Sequence, residues 1–194
     1  MYNLLIEYIQ EKSGINLTDE EKTLVENTFK LKKMRKKQYL LQEGDICKHM
    51  FFLIKGAARM YSVDEKGHEH ILRFGMEGWW LGDYASYMLG EPTKFNVEML
   101  EDAALLMANK EHVQELIEKV PAVAATIKAI DKQSAIATQQ RIHAAISLTA
   151  EERYESLQKT NPAFLQRFPQ IMIASYLGIS AETLSRIKKK MVFR

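Results

Sequence analysis

The sequence predicts an α+β fold in three parts: a β-roll of double-stranded β-helix or jelly-roll type with flanking helices (1–121), a long helix (122–147) and a C-terminal helix-turn-helix region (148–194). Three observations predict it. Short β-rich runs closed by glycine or acidic turns fill residues 38–106. An unbroken helical pattern follows Pro121. Near the end, Ala174 and Gly178 stand between two apolar helical patterns.

Leu4, Leu5, Tyr8 and Ile9 space as one helix face over residues 2–12. Thr18-Asp19-Glu20-Glu21 reads as a capping box opening a helix that carries Leu24, Val25 and Thr28. The basic run Lys30–Lys37 reads as a solvated strand or turn edge. The β-runs follow: Tyr39–Gln42, Met50–Ile54, Ala57–Val63, His68–Phe74, Asn96–Leu100 and Ala103–Ala108. Glycine between them supplies the positive φ that tight turns need. Asn109 caps a helix over Lys110–Lys119, and Pro121 fits the first turn of the next. That long helix carries Val123, Ile127, Ile130, Ala137 and Ala144, with Ser134 and Arg141 in the same stripe. The alternating spacing of four and three is that of a coiled-coil seam, so pairing with a second copy is expected over packing on its own domain. Thr149-Ala150-Glu151-Glu152 opens a further helix with Tyr154 and Leu157, closed by Asn161-Pro162.

The 194 residues are 46% hydrophobic, enough for a real core. No apolar run approaches the roughly 20 residues of a membrane-spanning helix, and the N-terminus lacks a leader pattern, so a cytoplasmic protein without a membrane partner is expected. The lone Cys47 rules out a disulfide within the chain and argues against a cysteine-held metal or cluster. It reads as a small buried hydrophobe. No nucleophile–base pair, metal cluster or phosphate loop stands out, so no catalytic residue, metal or cofactor is predicted, and the chain is not expected to be an enzyme. The net charge of +2 is uneven: from Phe164 onward the balance is +5, and elsewhere it is −3. A basic C-terminal end suits a polyanion.

The segment from Gln170 fills the slots of a helix-turn-helix. Ala174 is the small contact where two helices cross, and Gly178 is the turn. Ile173, Leu177, Ile179, Leu184 and Ile187 lock the pair, and Ser180 caps the second helix with Thr183 three residues on. That helix would enter a major groove with Ala181, Glu182, Ser185 and Arg186 facing base edges. Glu182 can accept from cytosine N4, and Arg186 can bond guanine O6 and N7 or a phosphate. Gln170, Ser180 and Thr183 can hold phosphates, and Lys188, Lys189 and Lys190 add sequence-independent attraction. The expected partner is double-stranded DNA. The bland alternative is a helical hairpin that only packs.

The order of β-roll, long helix and Glu182-Thr183-Leu184-Ser185-Arg186 resembles the Crp/Fnr family of bacterial regulators, and the pentapeptide is similar to the E-x-x-S-R pattern of its Fnr side. The resemblance implies a homodimeric transcription regulator with a cyclic-nucleotide-binding-like sensor roll, a dimerisation helix, a winged helix-turn-helix and contact with RNA polymerase. Ala181 stands where the Crp side usually has Arg. The wing would lie either past the recognition helix, at Val192-Phe193-Arg194, or before Gln170, around Ala163–Phe168. Members that bind cyclic AMP carry Gly-Glu and then Arg-Ser about ten residues on, the Glu holding the ribose and the Arg the phosphate. Here Gly82-Asp83-Tyr84 and Thr93-Lys94 stand in those places, with Trp80 just upstream. The cassette is degenerate, because Lys lacks the bidentate fork of Arg. The effector is therefore unknown and expected not to be cyclic AMP. The alternatives are a cyclic-nucleotide-responsive regulator using Asp83 and Lys94, or a small-ligand-binding protein without DNA function. His68 and His70 share a strand face, which reads as a polar hairpin rather than a metal site.

Overall fold

The structure, a computed structural model, describes residues 1–192. It divides into two compact units. One comprises Met1–Ser62 and Arg73–Gln133, and the other Val63–Leu72 with the chain from Ser134 on.

In the first unit, helix α1 (Asn3–Ser13) is followed by α2 (Asp19–Thr28), which opens on the expected capping box: Thr18 accepts from the Glu21 amide and Glu21 from the Thr18 amide. Strands β1 (Lys30–Met34), β2 (Tyr39–Leu41), β3 (His49–Lys55), β4 (Ala58–Val63), β5 (Glu69–Gly75), β6 (Trp80–Leu81), β7 (Asn96–Met99) and β8 (Ala103–Asn109) form two four-stranded sheets. Their orders are β1-β8-β3-β6 and β2-β7-β4-β5. Strand β8 runs antiparallel to β3 with Phe52 opposite Leu106 and Leu53 opposite Leu105. Leu53, Leu105, Val97 and Met99 cluster with Cys47 and Tyr87 in one core. Phe52 and Leu106, on the other face, pack with Leu5, Val25 and Val120 from the helices. Both faces of β3 are covered, which is why it reads as a continuous apolar run. Truncating the fully buried Phe52 to alanine would cost about 3–5 kcal/mol.

Helix α3 (Tyr84–Leu89) and strand β6 are elements that the pattern of residues had not indicated; α4 (Lys110–Lys119), capped by Asn109, and α5 (Pro121–Ser147) had been expected. Ala122, Val123 and Thr126 are the buried residues of α5. From 131 to 143 the helix is exposed on every side, with Ile136 and Ile142 among its large apolar residues.

The second unit holds α6 (Ala150–Thr160), α7 (Pro162–Arg167), α8 (Gln170–Leu177) and α9 (Ala181–Val192) around Tyr154, Phe164, Ile173, Leu177, Leu184 and Ile187. Thr149 forms the second capping box with Glu152. The wing does not lie around Ala163–Phe168. Residues 162–167 are helix, because Pro162 suits a first turn and Phe164 and Phe168, one turn apart, meet edge to face with centroids 5.4 Å apart. Val192 ends α9 as helix, and Phe193 and Arg194 lie outside the described residues. Among the described residues no helix is long and apolar enough to cross a membrane.

Candidate functional site

The helix pair α8–α9 is built from local signals. Gly178 stops α8 at φ 67°, left-handed backbone that a side chain disfavours, and the Ile179 amide returns to the Ala174 carbonyl at 3.0 Å. Ala174 is buried, so the two helices meet over a methyl group. Ser180 then caps α9 by accepting from the Thr183 amide at 3.2 Å. Burying Leu184 and Ile187 turns the opposite side of α9 outward, and Ala181, Glu182, Ser185 and Arg186 are all exposed. Gln170, at the start of α8, is exposed too. The Glu182 carboxyl is held below its usual range by its own backbone N–H, by the Ser180 hydroxyl and by Arg186 one turn on. It is thus an acceptor at neutral pH.

The lysines divide. Lys189 is exposed and Lys188 half-buried. Lys190 reaches back to Glu151 of α6, with Nζ–O distances of 2.7 and 3.0 Å, so part of its charge is already matched. Two contributors carried no local signal. Glu151 is one. The other is Arg153 of α6, whose Nη1 would be 3.6 Å from a Cβ built at Gly178, placing a positive charge at the turn.

The candidate effector site lies in the first unit. Gly82 has φ 113°, and a Cβ there would come within 3.1 Å of Cys47 Sγ. Asp83 caps α3: one carboxylate oxygen accepts from the Ala85 amide at 3.0 Å and the other from the Thr93 hydroxyl at 2.7 Å. Both residues are buried. The Thr93 backbone is also tied down, donating to Asp45 at 2.8 Å and accepting from Gly44 at 2.9 Å. Lys94 is exposed, and Tyr84 is 54% exposed. The Tyr84 phenol is pushed up by burial and by Asp131 of α5. Trp80 packs its indole among Phe52, Phe29 and Tyr8, with centroids 5.0, 6.0 and 6.4 Å away, so it serves the core. The cassette residues therefore come together as Asp83 with Thr93, while Trp80 borders the small cavity beside Gly82 and Lys94 does not line it.

The cavity beside Gly82 has about 10 Å³ of free volume, lined by Arg59, Arg73, Phe74, Leu81 and Val97 among others. That is room for one water at most. Arg59 on its border pairs with Glu98 at 2.6 Å and lies 4.2 Å over the Tyr61 ring. A cation there is already answered by a carboxylate. His68 and His70 both hydrogen-bond one oxygen of Asp64, at 3.2 and 3.0 Å, which is the polar hairpin face expected of them.

A family model described as cyclic nucleotide-binding domain matches residues 31–120. The regulatory protein HlyX of Actinobacillus pleuropneumoniae is 26% identical over 183 residues, covering 88% of this chain and 75% of that protein. Among solved structures, FixK2 from Bradyrhizobium japonicum superposes with a TM-score of 0.70 at 18% identity, over 85% of each chain. The Thermus thermophilus catabolite activator protein superposes at 0.59 with 20% identity, over 93% of this chain and 86% of that one.

Proposed function

We propose that this chain, similar over most of its length to transcription regulators of the Crp/Fnr type, reads a specific double-stranded DNA site as a homodimer, through α9 of each copy. The observation that carries this is the exposed row Glu182, Ser185 and Arg186 on a helix whose opposite side is locked by Leu184 and Ile187. Glu182 accepts from a cytosine amino group and Arg186 grips a guanine edge. Ser180, Thr183 and Gln170 fix register on phosphates, and Lys188 and Lys189 supply salt-sensitive attraction. Ile142 and Ile146, one turn apart on α5 and 56% and 79% exposed, give a second copy a surface to cover. Two-fold symmetry would place half-site centres about 34–36 Å apart. Contact with RNA polymerase and a cytoplasmic location go with this reading.

The effector in this reading is not a cyclic nucleotide. The Asp83 oxygen that would meet a ribose is taken by Thr93, and no arginine occupies the phosphate slot. A footprint on genomic fragments with the wild type and Arg186→Ala tests the proposal. A loss of about 1–3 kcal/mol confined to one base position is expected. An unchanged footprint removes Arg186 from the reading face. Absence of any salt-dependent DNA binding favours a small-ligand protein instead.

A further inference from the structure

Strand β5 is the outer strand of its sheet. An outer strand offers backbone N–H and C=O groups to whatever lies beside it. Here α8 takes that place with side chains. The Ser175 hydroxyl accepts from the Ile71 amide at 3.0 Å and donates to the Glu69 carbonyl at 2.9 Å, so one oxygen does the work of a neighbouring strand. Further along the strand, the Leu72 carbonyl accepts from the Arg141 guanidinium. That guanidinium also lies 4.6 Å over the ring of Tyr176, the residue after Ser175. Arg141, which its spacing places in the α5 seam, is thus engaged on its own chain. All these residues belong to the second unit.

The hairpin that receives α8 is itself stiff. One Asp64 oxygen accepts from the Lys66 and His68 amides, both at 2.9 Å, and the other from the two histidines. The Asp64 amide pairs with the His68 carbonyl at 3.0 Å. A helix fastened to this hairpin is fastened to a defined strand. The other side of α8 carries Ile173, Ala174 and Leu177, all buried, and α8 packs more extensively on α9 than on α6 or α7. Rotation of α8 therefore carries α9 with it. The attachment leaves Glu182, Ser185 and Arg186 exposed, so the attached state is competent to read.

We propose that Ser175 and Arg141 are positioning residues for DNA reading, holding α8, and α9 through it, in one orientation on the β5 backbone. This rests on the DNA-reading function proposed above. Neither residue touches a base. Their effect is on the fraction of protein in the reading orientation, and apparent affinity scales with that fraction. Loss of the attachment weakens every duplex by one common factor. Mismatch penalties and the salt slope, which belong to the docked state, stay as they were.

The test measures binding of a matched duplex, of single-mismatch duplexes and of the salt slope by fluorescence anisotropy. It compares the wild type, Ser175→Ala, Ser175→Thr and Arg141→Met, with amide exchange at Ile71 followed in parallel. The expected result is faster exchange at Ile71 and about fivefold to tenfold weaker binding for Ser175→Ala, equal across duplexes, with rescue by Ser175→Thr. Arg141→Met should weaken binding in the same uniform way. This variant keeps the test open if Ser175→Ala lowers Tm enough to unfold the unit. Wild-type affinity in Ser175→Ala or Arg141→Met overturns the proposal, as does a loss confined to one base pair. If the wild type binds no duplex, the DNA reading itself fails and the positioning role falls with it.

Discussion

Thr93 donates its hydroxyl proton to Asp83 across 2.7 Å, both residues being buried. The bond closes the cassette from inside. The carboxylate oxygen not used to cap α3 is spent on a residue ten positions on, in the slot where a phosphate-binding arginine would stand. Asp83 is thus a structural ligand of the loop that joins α3 to β7.

The first prediction is that calorimetry with cyclic AMP and cyclic GMP gives no micromolar binding. Thr93→Val, which removes the donor and leaves a buried carboxylate oxygen without it, should cost about 1–3 kcal/mol, read from the denaturant midpoint. Micromolar binding of either nucleotide would return Asp83 and Lys94 to the effector site.

The second concerns charge on α9. Lys189→Ala should lower the salt slope of DNA binding by about 1, as loss of one phosphate contact does. Glu151→Ala should steepen that slope by releasing Lys190, with little effect on stability because exposed pairs contribute about 0–1 kcal/mol. Salt titrations of the three proteins decide it. An unchanged slope in Glu151→Ala would mean that Lys190 lies beyond reach of phosphate.

The third is a pH dependence. Glu182 has a folded pKa lowered by its own backbone N–H, Ser180 and Arg186. A depressed carboxyl keeps its charge above the unfolded value, about 4.3, and loses it only as pH falls through the folded value. The base preference set by Glu182 should therefore be flat from about pH 8 to about pH 5 and fade in stronger acid. A preference that fades between about pH 7 and 6, where histidine titrates, would assign it to another group.

The fourth concerns Cys47. Burial pushes its thiol up, and the side chain is 3% exposed against Gly82. Iodoacetamide should leave it unmodified in the native protein and label it after denaturation, because the thiolate is the reactive form. Rapid native labelling, followed by mass spectrometry, would show that the loop around Gly82 opens.

The fifth concerns α5. Sedimentation should find a dimer for the wild type and a monomer for Ile142→Glu, with unchanged helix content. A dimer that survives this change must be paired through another surface.

The helix-turn-helix was legible because its determinants are neighbours. Gly178, Ser180 with Thr183, and the two capping boxes at Thr18 and Thr149 are settled within about one turn of helix. The strands β3 and β8 were legible through apolar runs. Strand β6 was not: two residues have no periodicity, and it exists through pairing of Trp80 and Leu81 with Phe52 and Phe51. Helix α7 was misread as a site for the wing because Asn161-Pro162 serves equally as an end and as a beginning. Which one it is depends on Phe164 reaching Phe168 and Tyr176.

By itself, then, the sequence determined the order of the main strands and helices, the caps at Thr18, Asn109, Thr149 and Ser180, and the outward row of Glu182, Ser185 and Arg186. Each follows from backbone sterics and contacts between close neighbours. The tertiary structure alone decided that Thr93 seals Asp83, that Lys190 is shared with Glu151 thirty-nine residues away, and that Ser175 holds a strand more than a hundred residues earlier. Long loops close at a modest entropic cost, so the sequence distance between such partners carries almost no information. Which of them meet is settled by how the apolar faces pack.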